Sequence, residues 1–236
     1  MPIRPAKGLP FVYINVATTA DGKLAPANRH FEPFSSKRDQ ALLLELRAKA
    51  DAVLSGARTI DSTAVTLGPG GAKYRAQRRR RGLSEYNLRV IASGAATVDP
   101  ESEIFKHRFS PIIILITRSA PKRRVERLRR LADDVVAFGK NEIDFVAALK
   151  WLRRKWKVKR LLCEGGGELN GSLFRAGVVK QIYITFCPLI LGGRNAPTAA
   201  DGLNPKKLSE AIPLRLKSMK RVGAELFLVY DVLNRR

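Results

Sequence analysis

Glu164, followed by Gly165, Gly166 and Gly167, is the stretch of this 236-residue chain best suited to chemistry. An apolar run ends on the carboxylate, three residues without side chains follow, and "LNGSLFRAG" then has helical spacing. Backbone N–H groups at a glycine turn, with the positive end of a following helix, hold an anion. Missing Cβ atoms also let a phosphate or a flat ring lie against the main chain. The same pattern serves a plainer purpose, packing a helix tightly on a sheet, and both readings stand at this point. A second candidate is Asp21-Gly22-Lys23, a turn signal that carries a cation.

Other chemistries lack their residues. "GGGELNG" does not have the G-x-G-x-x-G spacing, and no Gly-Lys-Ser/Thr follows to make a phosphate loop. There is no His-x-Glu with Pro-Cys-x-x-Cys, so a zinc deaminase site is absent. Two histidines leave little for a triad. Cys163 and Cys187 sit in no metal-ligand spacing, and no metal site is expected.

The elements that must position these residues alternate. "LPFVYINVATTADGK" reads as a strand ending in an Asp-Gly turn, and "SSKRDQALLLELRAKA" as a helix with a Ser cap and Asp39 in its early turn. In that helix Leu42, Leu43, Leu46 and Ala50 fall on one face. "DAVLSGAR" is a buried strand, and 59–87 reads as a long loop with one short helix. "LRVIAS" and "PIIILIT" are continuous apolar runs, the sign of strands covered on both faces. "KRRVERLRRL" is a solvated helix, "DDVVAFG" a strand, and "IDFVAALKWLRRKWK" a helix with Phe145, Ala148, Leu149 and Leu152 inward. "VKRLLCEGGG" is a strand running into the glycines, "KQIYITFCPLIL" is another, and "LRLKSMKRVGAELFLVYDVL" is a hairpin turning at Gly223. Together these predict a single α/β domain over 1–236, core about 11–231, with a mostly parallel central sheet flanked by helices and antiparallel C-terminal strands.

Charge is the unusual quantity: 44 Lys and Arg against 21 Asp and Glu, formally +23. Such a field favours anionic partners without choosing among nucleic acid, acidic membrane and phosphorylated small molecules. The clusters "RAQRRRRG", "KRRVERLRRL" and "LRRKWKVKRL" do not form one stripe on one helix. No apolar run approaches a membrane span, "MPIRPAKGLP" lacks the apolar core of a signal peptide, and a cytoplasmic setting is expected.

Four motifs in register then carry a resemblance: "TTADGKLA" (18–25), "LRAKADAVLSGARTI" (46–60), "EGGGELNGSLFRAGVV" (164–179) and "PLILGG" (188–193). Their order and spacing, from about Phe11 to Tyr230, resemble the reductase family of riboflavin biosynthesis, of the RibD C-terminal type. The resemblance implies a dihydrofolate-reductase-like fold and an NADPH-dependent reduction of a phosphoribosylamino-pyrimidine at the sugar C1′. It implies catalytic or orienting roles for Lys23, Asp21 and Glu164, with Lys23, Arg47, Glu164 and Asp61 on the substrate. Ala17, Thr18, Gly56, Thr59 and the run Gly165, Gly166, Gly167, Glu168, Leu169, Asn170 to Ser172 match cofactor positions. Ser55 is a candidate by adjacency, and Arg194 after "LGG" is a candidate for the adenosine 2′-phosphate. A homodimer is implied, since "AELFLVYDVL" is an apolar, edge-like run.

The sequence departs from the family where an Asp-Asp/Asn-Pro-x-Leu-Thr-x-Arg segment is common. "TIDSTAVTLGPGGAKYRAQRRRRGL" stands there, with Asp61 two residues early and no aligned phosphate-anchoring arginine. Arg75, or one of Arg78 to Arg81, is the substitute to look for. Two alternatives follow from this and from the charge: a related pyrimidine or pteridine reductase with a changed substrate, or a basic nucleic-acid-binding protein on the same scaffold. The aromatics lie mostly within apolar strands rather than among the arginines, which weighs against the second.

Overall fold

The computed structural model describes residues 5–29, 32–203 and 205–233. The chain opens with β1 (Phe11–Thr19), α1 (Lys37–Arg47), β2 (Ala52–Gly56) and α2 (Ala57–Ser62). Then come α3 (Ala72–Arg80), β3 (Leu88–Ala92), the single turn α4 (Glu103–Lys106) and β4 (Ile112–Ile116). It continues through α5 (Lys122–Arg129), β5 (Asp134–Ala137), α6 (Phe145–Lys155), β6 (Arg160–Cys163), α7 (Gly167–Arg175) and β7 (Val179–Cys187). The hairpin of β8 (Leu214–Val222) and β9 (Glu225–Val232) closes it.

The strands form one sheet in the order β5-β4-β3-β2-β6-β1-β7-β9-β8. From β5 to β7 every pairing is parallel, and β9 and β8 add antiparallel. All five residues of β4 are buried, as its unbroken apolar run predicts for a strand covered on both faces. One face packs Phe145, Ala148, Leu149 and Leu152 of α6 and Leu173 of α7 against Val12, Ile14, Leu161 and Cys163. The other packs Leu46, Ile60, Ile104, Val125 and Leu128 against Tyr13, Val53, Ile91 and Leu162. This is the α/β architecture the alternating elements predict.

Two local expectations are corrected. The 59–87 stretch is not a long loop with one short helix: α2 fills its start and α3 its centre. In α1, Leu46 is buried with Ala50 just beyond the helix, and Leu42 and Leu43 pack half-buried on the same core, as their spacing predicts, while the helix also buries Asp39 and Arg47. Its Ser36 cap accepts from the Asp39 N–H at 3.4 Å, and polar contacts to the sheet add to the packing of its leucines. The hairpin does turn at Gly223, in the left-handed region with φ 60°. However, β9 is paired on both sides, and the exposed edge is β8.

After β7 the chain returns to lie on the start of α7. Asp201 N–H donates to the Gly167 carbonyl at 2.9 Å, and the Asn170 carboxamide donates to the Ala199 carbonyl at 2.9 Å. A Cβ on Gly167 would overlap the Thr198 carbonyl and the Asp201 carboxylate, and one on Gly171 would overlap the Asp201 carbonyl. Gly171→Ala therefore has to displace backbone. It is expected to lower unfolding free energy by about 1–3 kcal/mol, the usual cost of overpacking, read as a lower urea midpoint at unchanged slope.

Candidate active site

A cleft of about 1570 Å³ opens over the carboxyl ends of the parallel strands. That is where open α/β sheets bind ligands, and the volume exceeds the roughly 300–1000 Å³ of a single-ligand pocket. Its floor comes from the ends of β1, β2, β3 and β6, one wall from α1, and the other from α2 and the start of α7.

The wall at α1 is polar and fixed. Arg47 Nε and Nη2 donate to the two carboxylate oxygens of Glu164, each at 2.6 Å, and Nη1 donates to the Gly68 carbonyl at 2.7 Å. Both side chains are about nine-tenths buried. Asp39 accepts from the Thr185 hydroxyl at 2.5 Å, and Ser55 donates to the Gly165 carbonyl at 3.3 Å. In parallel register Ile14 and Leu54 both sit opposite Cys163. The next residues along, Asn15, Ser55 and Glu164, therefore form a row across three adjacent strands.

The opposite wall suits an anion. Helix α7 starts at Gly166 without a side-chain cap, and Gly166, Gly167 and Glu168 line the cleft beside Gly56 and Thr59. The Thr59 hydroxyl lies over Gly166, where an added Cβ would come within 3.3 Å of it. Gly165, at φ 86°, hands its carbonyl to the Gly56 N–H at 2.9 Å, which ties the turn to β2. Glu168, in the first turn of α7, pairs with Arg58 and, at 3.6 Å, with Arg29. The far end of the cleft carries the hydroxyls of Ser93, Thr97 and Thr117, which sequence reasoning did not single out. Their only signal is position, just beyond the ends of β3 and β4.

Of the residues expected at the site, Ala17, Arg47, Gly56, Thr59, Asp61, Glu164, Gly166, Gly167, Glu168, Leu169 and Ser172 line the cleft, and so does Ser55. The rest do not. Thr18 is buried on the strand face it shares with Ile14 and Val16, because side chains alternate. Gly165 is turned to Ser55 and Gly56, and Asn170 is spent on Ala199. Arg194 is exposed on the loop after β7. Asp21 is exposed too: it accepts from the Thr19 hydroxyl at 2.6 Å and from the Leu191 and Gly192 N–H groups at 3.1 and 2.7 Å. It pins that loop to the end of β1. Lys23 closes the same turn through its backbone, its N–H donating to the Thr19 hydroxyl at 2.9 Å, and its neighbours Leu24 and Ala25 reach the cleft. Asp61 lines the cleft but is engaged elsewhere, accepting from Asp99 N–H at 2.9 Å and the Ser102 hydroxyl at 2.7 Å.

The arginines of α3 do not enter the cleft. Arg78 is buried and donates to the carbonyls of Arg47, Ala50 and Ser84, and Arg75 pairs with Glu85 at 3.1 Å. Burial pushes the thiols of Cys163 and Cys187 up to about 12, so neither is a nucleophile at neutral pH.

Residues 10–228 match the RibD C-terminal domain family. The chain belongs to that family. It is 31% identical to the 2,5-diamino-6-ribosylamino-4(3H)-pyrimidinone 5′-phosphate reductase of Archaeoglobus fulgidus, over 96% of this chain and 99% of the relative. It is 32% identical to the enzyme of the same name from Methanothermobacter thermautotrophicus, over 94% and 98%. The fold of Acinetobacter baumannii RibD superposes on 97% of the chain with a TM-score of 0.78 at 15% identity, and this chain spans 60% of that one. Within this RibD C-terminal fold the dihydrofolate-reductase-like sheet and its C-terminal antiparallel strands are as the resemblance implies. Among the described residues no helix is long and apolar enough to cross a membrane.

Two outcomes follow for this RibD C-terminal site. Glu164→Ala strands a buried guanidinium and is expected to cost about 3–5 kcal/mol in urea unfolding, whereas Arg47→Met with Glu164→Leu recovers most of it. The second concerns acid. Hydrogen bonds from Thr19, Leu191 and Gly192 hold Asp21 at about 2, below its ordinary 3.8. A lowered carboxylate contributes stability that is complete above its unfolded value and lost as pH falls toward the folded one. Wild-type Tm should therefore drop from about pH 4 to pH 2 more steeply than that of Asp21→Asn.

Proposed function

We propose that this chain reduces 2,5-diamino-6-ribosylamino-4(3H)-pyrimidinone 5′-phosphate to the ribitylamino compound, with NADPH as the reductant. One observation carries the reading: Glu164 and the uncapped helix start at Gly166, two residues on, line one cleft, so a carboxylate suited to ring recognition adjoins N–H groups suited to an anion. The two relatives of that name match along nearly their whole length, which favours the diamino compound over the aminouracil.

The residues fit a dinucleotide on two grounds. The uncapped start of α7 offers N–H groups to a pyrophosphate, and Gly56 and Gly166 leave the surface between them free of side chains. When bound, the nicotinamide supplies hydride. The chain's own part is to bind and orient. Glu164, held rigid by Arg47, has lone pairs left for the amino and ring N–H groups of the pyrimidine. Arg58 and Arg29, which line the cleft and pair with Glu168, are the cations proposed to meet phosphate, while Lys23, outside the cleft lining, holds the turn beside it. Ser93, Thr97 and Thr117 line the far end of the cleft and are the hydroxyls proposed for the adenosine end, whereas Arg194 stands outside the lining.

This reading includes a cytoplasmic enzyme of one domain and a homodimer formed through β8. On that strand Leu214, Leu216 and Met219 are 42, 51 and 65% exposed. The basic surface is read as steering phosphorylated ligands rather than nucleic acid.

The test is loss of NADPH absorbance with the diamino substrate and with the aminouracil, repeated with NADH. Turnover is expected for the diamino compound with NADPH. Arg58→Ala should raise the Kd for NADPH about tenfold, the loss of one charge-assisted contact. Turnover of neither pyrimidine while NADPH binds would redirect the search to other pyrimidines and to pteridines. Failure to bind NADPH would overturn the reading.

A further inference from the structure

Reduction of a ribosylamine consumes a proton as well as a hydride, and the cleft has to deliver both. Among the described residues no histidine, cysteine, tyrosine or lysine lines it, which leaves carboxyl groups as the side-chain acids. Most of those are committed. Glu164 is forked onto Arg47, and Glu168 pairs with Arg58 and Arg29. Asp61 accepts from Asp99 N–H and the Ser102 hydroxyl, and Asp144 caps α6 through the Ala147 N–H at 2.9 Å. Asp201 accepts from the Thr198 N–H and hydroxyl at 3.0 and 2.6 Å, and Glu142 is exposed beside Arg175.

Asp39 differs from all of these. It lines the cleft from α1, is 6% exposed, and its carboxyl group meets the Thr185 hydroxyl at 2.5 Å. Thr185 stands opposite Ala17 in the β1–β7 register, so Asp39 sits over the end of β1. Among the described residues no ion pair involves it. A hydroxyl donates to a carboxylate and accepts from a carboxylic acid, so Thr185 accommodates Asp39 in either state. Arg47, which only donates, suits a charged Glu164. Two buried carboxyl groups of one cleft thus stand in opposite surroundings, which divides the part of an acid from that of a fixed anion.

We infer that Asp39 is the general acid of the reduction, giving its proton to the sugar ring oxygen O4′. The inference rests on the pyrimidine reading of the cleft. As the C1′–O4′ bond breaks, its electron pair goes to O4′, which takes the Asp39 proton. The lone pair of the exocyclic nitrogen forms the C1′=N bond. C1′ then receives the hydride, and the π pair returns to nitrogen. One hydride and one proton are consumed, and Asp39, open to the cleft, regains its proton from water. The titratable and charged groups around it are Cys187 of β7, Glu225 of β9, bonded to Ser36, and the pairs Arg38–Glu45 and Arg47–Glu164. The thiol, pushed up to about 12, stays neutral, and the arginines are spent on their own partners.

The experiment follows kcat against pH for wild type, Asp39→Asn and Asp39→Ala with the diamino pyrimidinone phosphate, and measures the NADPH Kd of each. A required acid makes wild-type kcat fall as pH rises through its titration. Asp39→Asn, which keeps an acceptor for Thr185, should lower kcat at least about 100-fold, the low end of general-acid catalysis, and lose that alkaline limb. Its NADPH Kd should stay within about twofold, because the anion wall across the cleft is untouched. Formate, a small acid that fits the space of the missing carboxyl group, should restore part of kcat to Asp39→Ala. An active wild type with an Asp39→Asn variant as fast would overturn the inference while leaving the reductase reading intact. A loss of kcat that keeps the alkaline limb and resists formate, or that comes with an equal loss of NADPH binding, would also overturn it by making Asp39 structural. A wild type inactive on both pyrimidines would remove the reading beneath it, and the inference with it.

Discussion

Arg47 and Glu164 lie 117 positions apart in the chain, and their forked contact decides where the site is. Desolvating two charges is costly, and only a two-point geometry with further hydrogen bonds offsets it. Here Gly68 accepts the guanidinium's remaining reach, and Arg78 holds the Arg47 carbonyl at 2.8 Å and that of Ala50 at 2.5 Å. The result is a chain of buried polar contacts from α3 through α1 to the end of β6. Together with Leu42, Leu43 and Leu46 it fixes the helix over the sheet, and α1 turns Asp39, Gln40 and Arg47 into the cleft. A carboxylate so held cannot swing, so a ligand meets it at one angle.

The three glycines answer to different neighbours. Gly165 needs its left-handed φ so that its carbonyl can reach Ser55 and Gly56. Gly166 faces the cleft under Thr59. Gly167, with Gly171 a turn later, is glycine because the 198–201 backbone rests on it. Close packing and ligand approach, which are alternatives for the run as a whole, are thus divided among its members. The loop that packs on α7 also contributes Pro197, Asp201 and Gly202 to the cleft lining, so the packing glycines shape the site indirectly.

The positive charge is spread over three separate helices, α3, α5 and α6, and one of its members is interior. Arg78 is 1% exposed and serves as a cap for the carbonyls at the end of α1. Arg89, at 0% exposure, donates to the carbonyls of Ile104 and Ser110 and stacks on Phe109. A formal count of basic residues therefore overstates the field at the surface.

The sequence by itself determined the sheet and its helices. Period-2 and period-3.6 apolar patterns are local consequences of burying one face, and they made β1 to β4, α6 and the Gly223 hairpin legible. It also determined the residues able to do chemistry, since Glu164 before three glycines keeps its meaning wherever the strand lies. Tertiary structure alone decided which of them meet. Arg47 looks solvated on a helical wheel, and only the approach of β6 makes it a buried partner. Asn170 fits a family position and Asp61 stands two residues before one, yet Ala199 and Ser102, remote in sequence, claim their side chains first. Asn15 reads as a strand residue, and only the structure shows its buried amide oxygen without a partner among the described residues. Hydrogen bonds of buried groups are settled by what else arrives at the same place, and no local pattern in the chain encodes that.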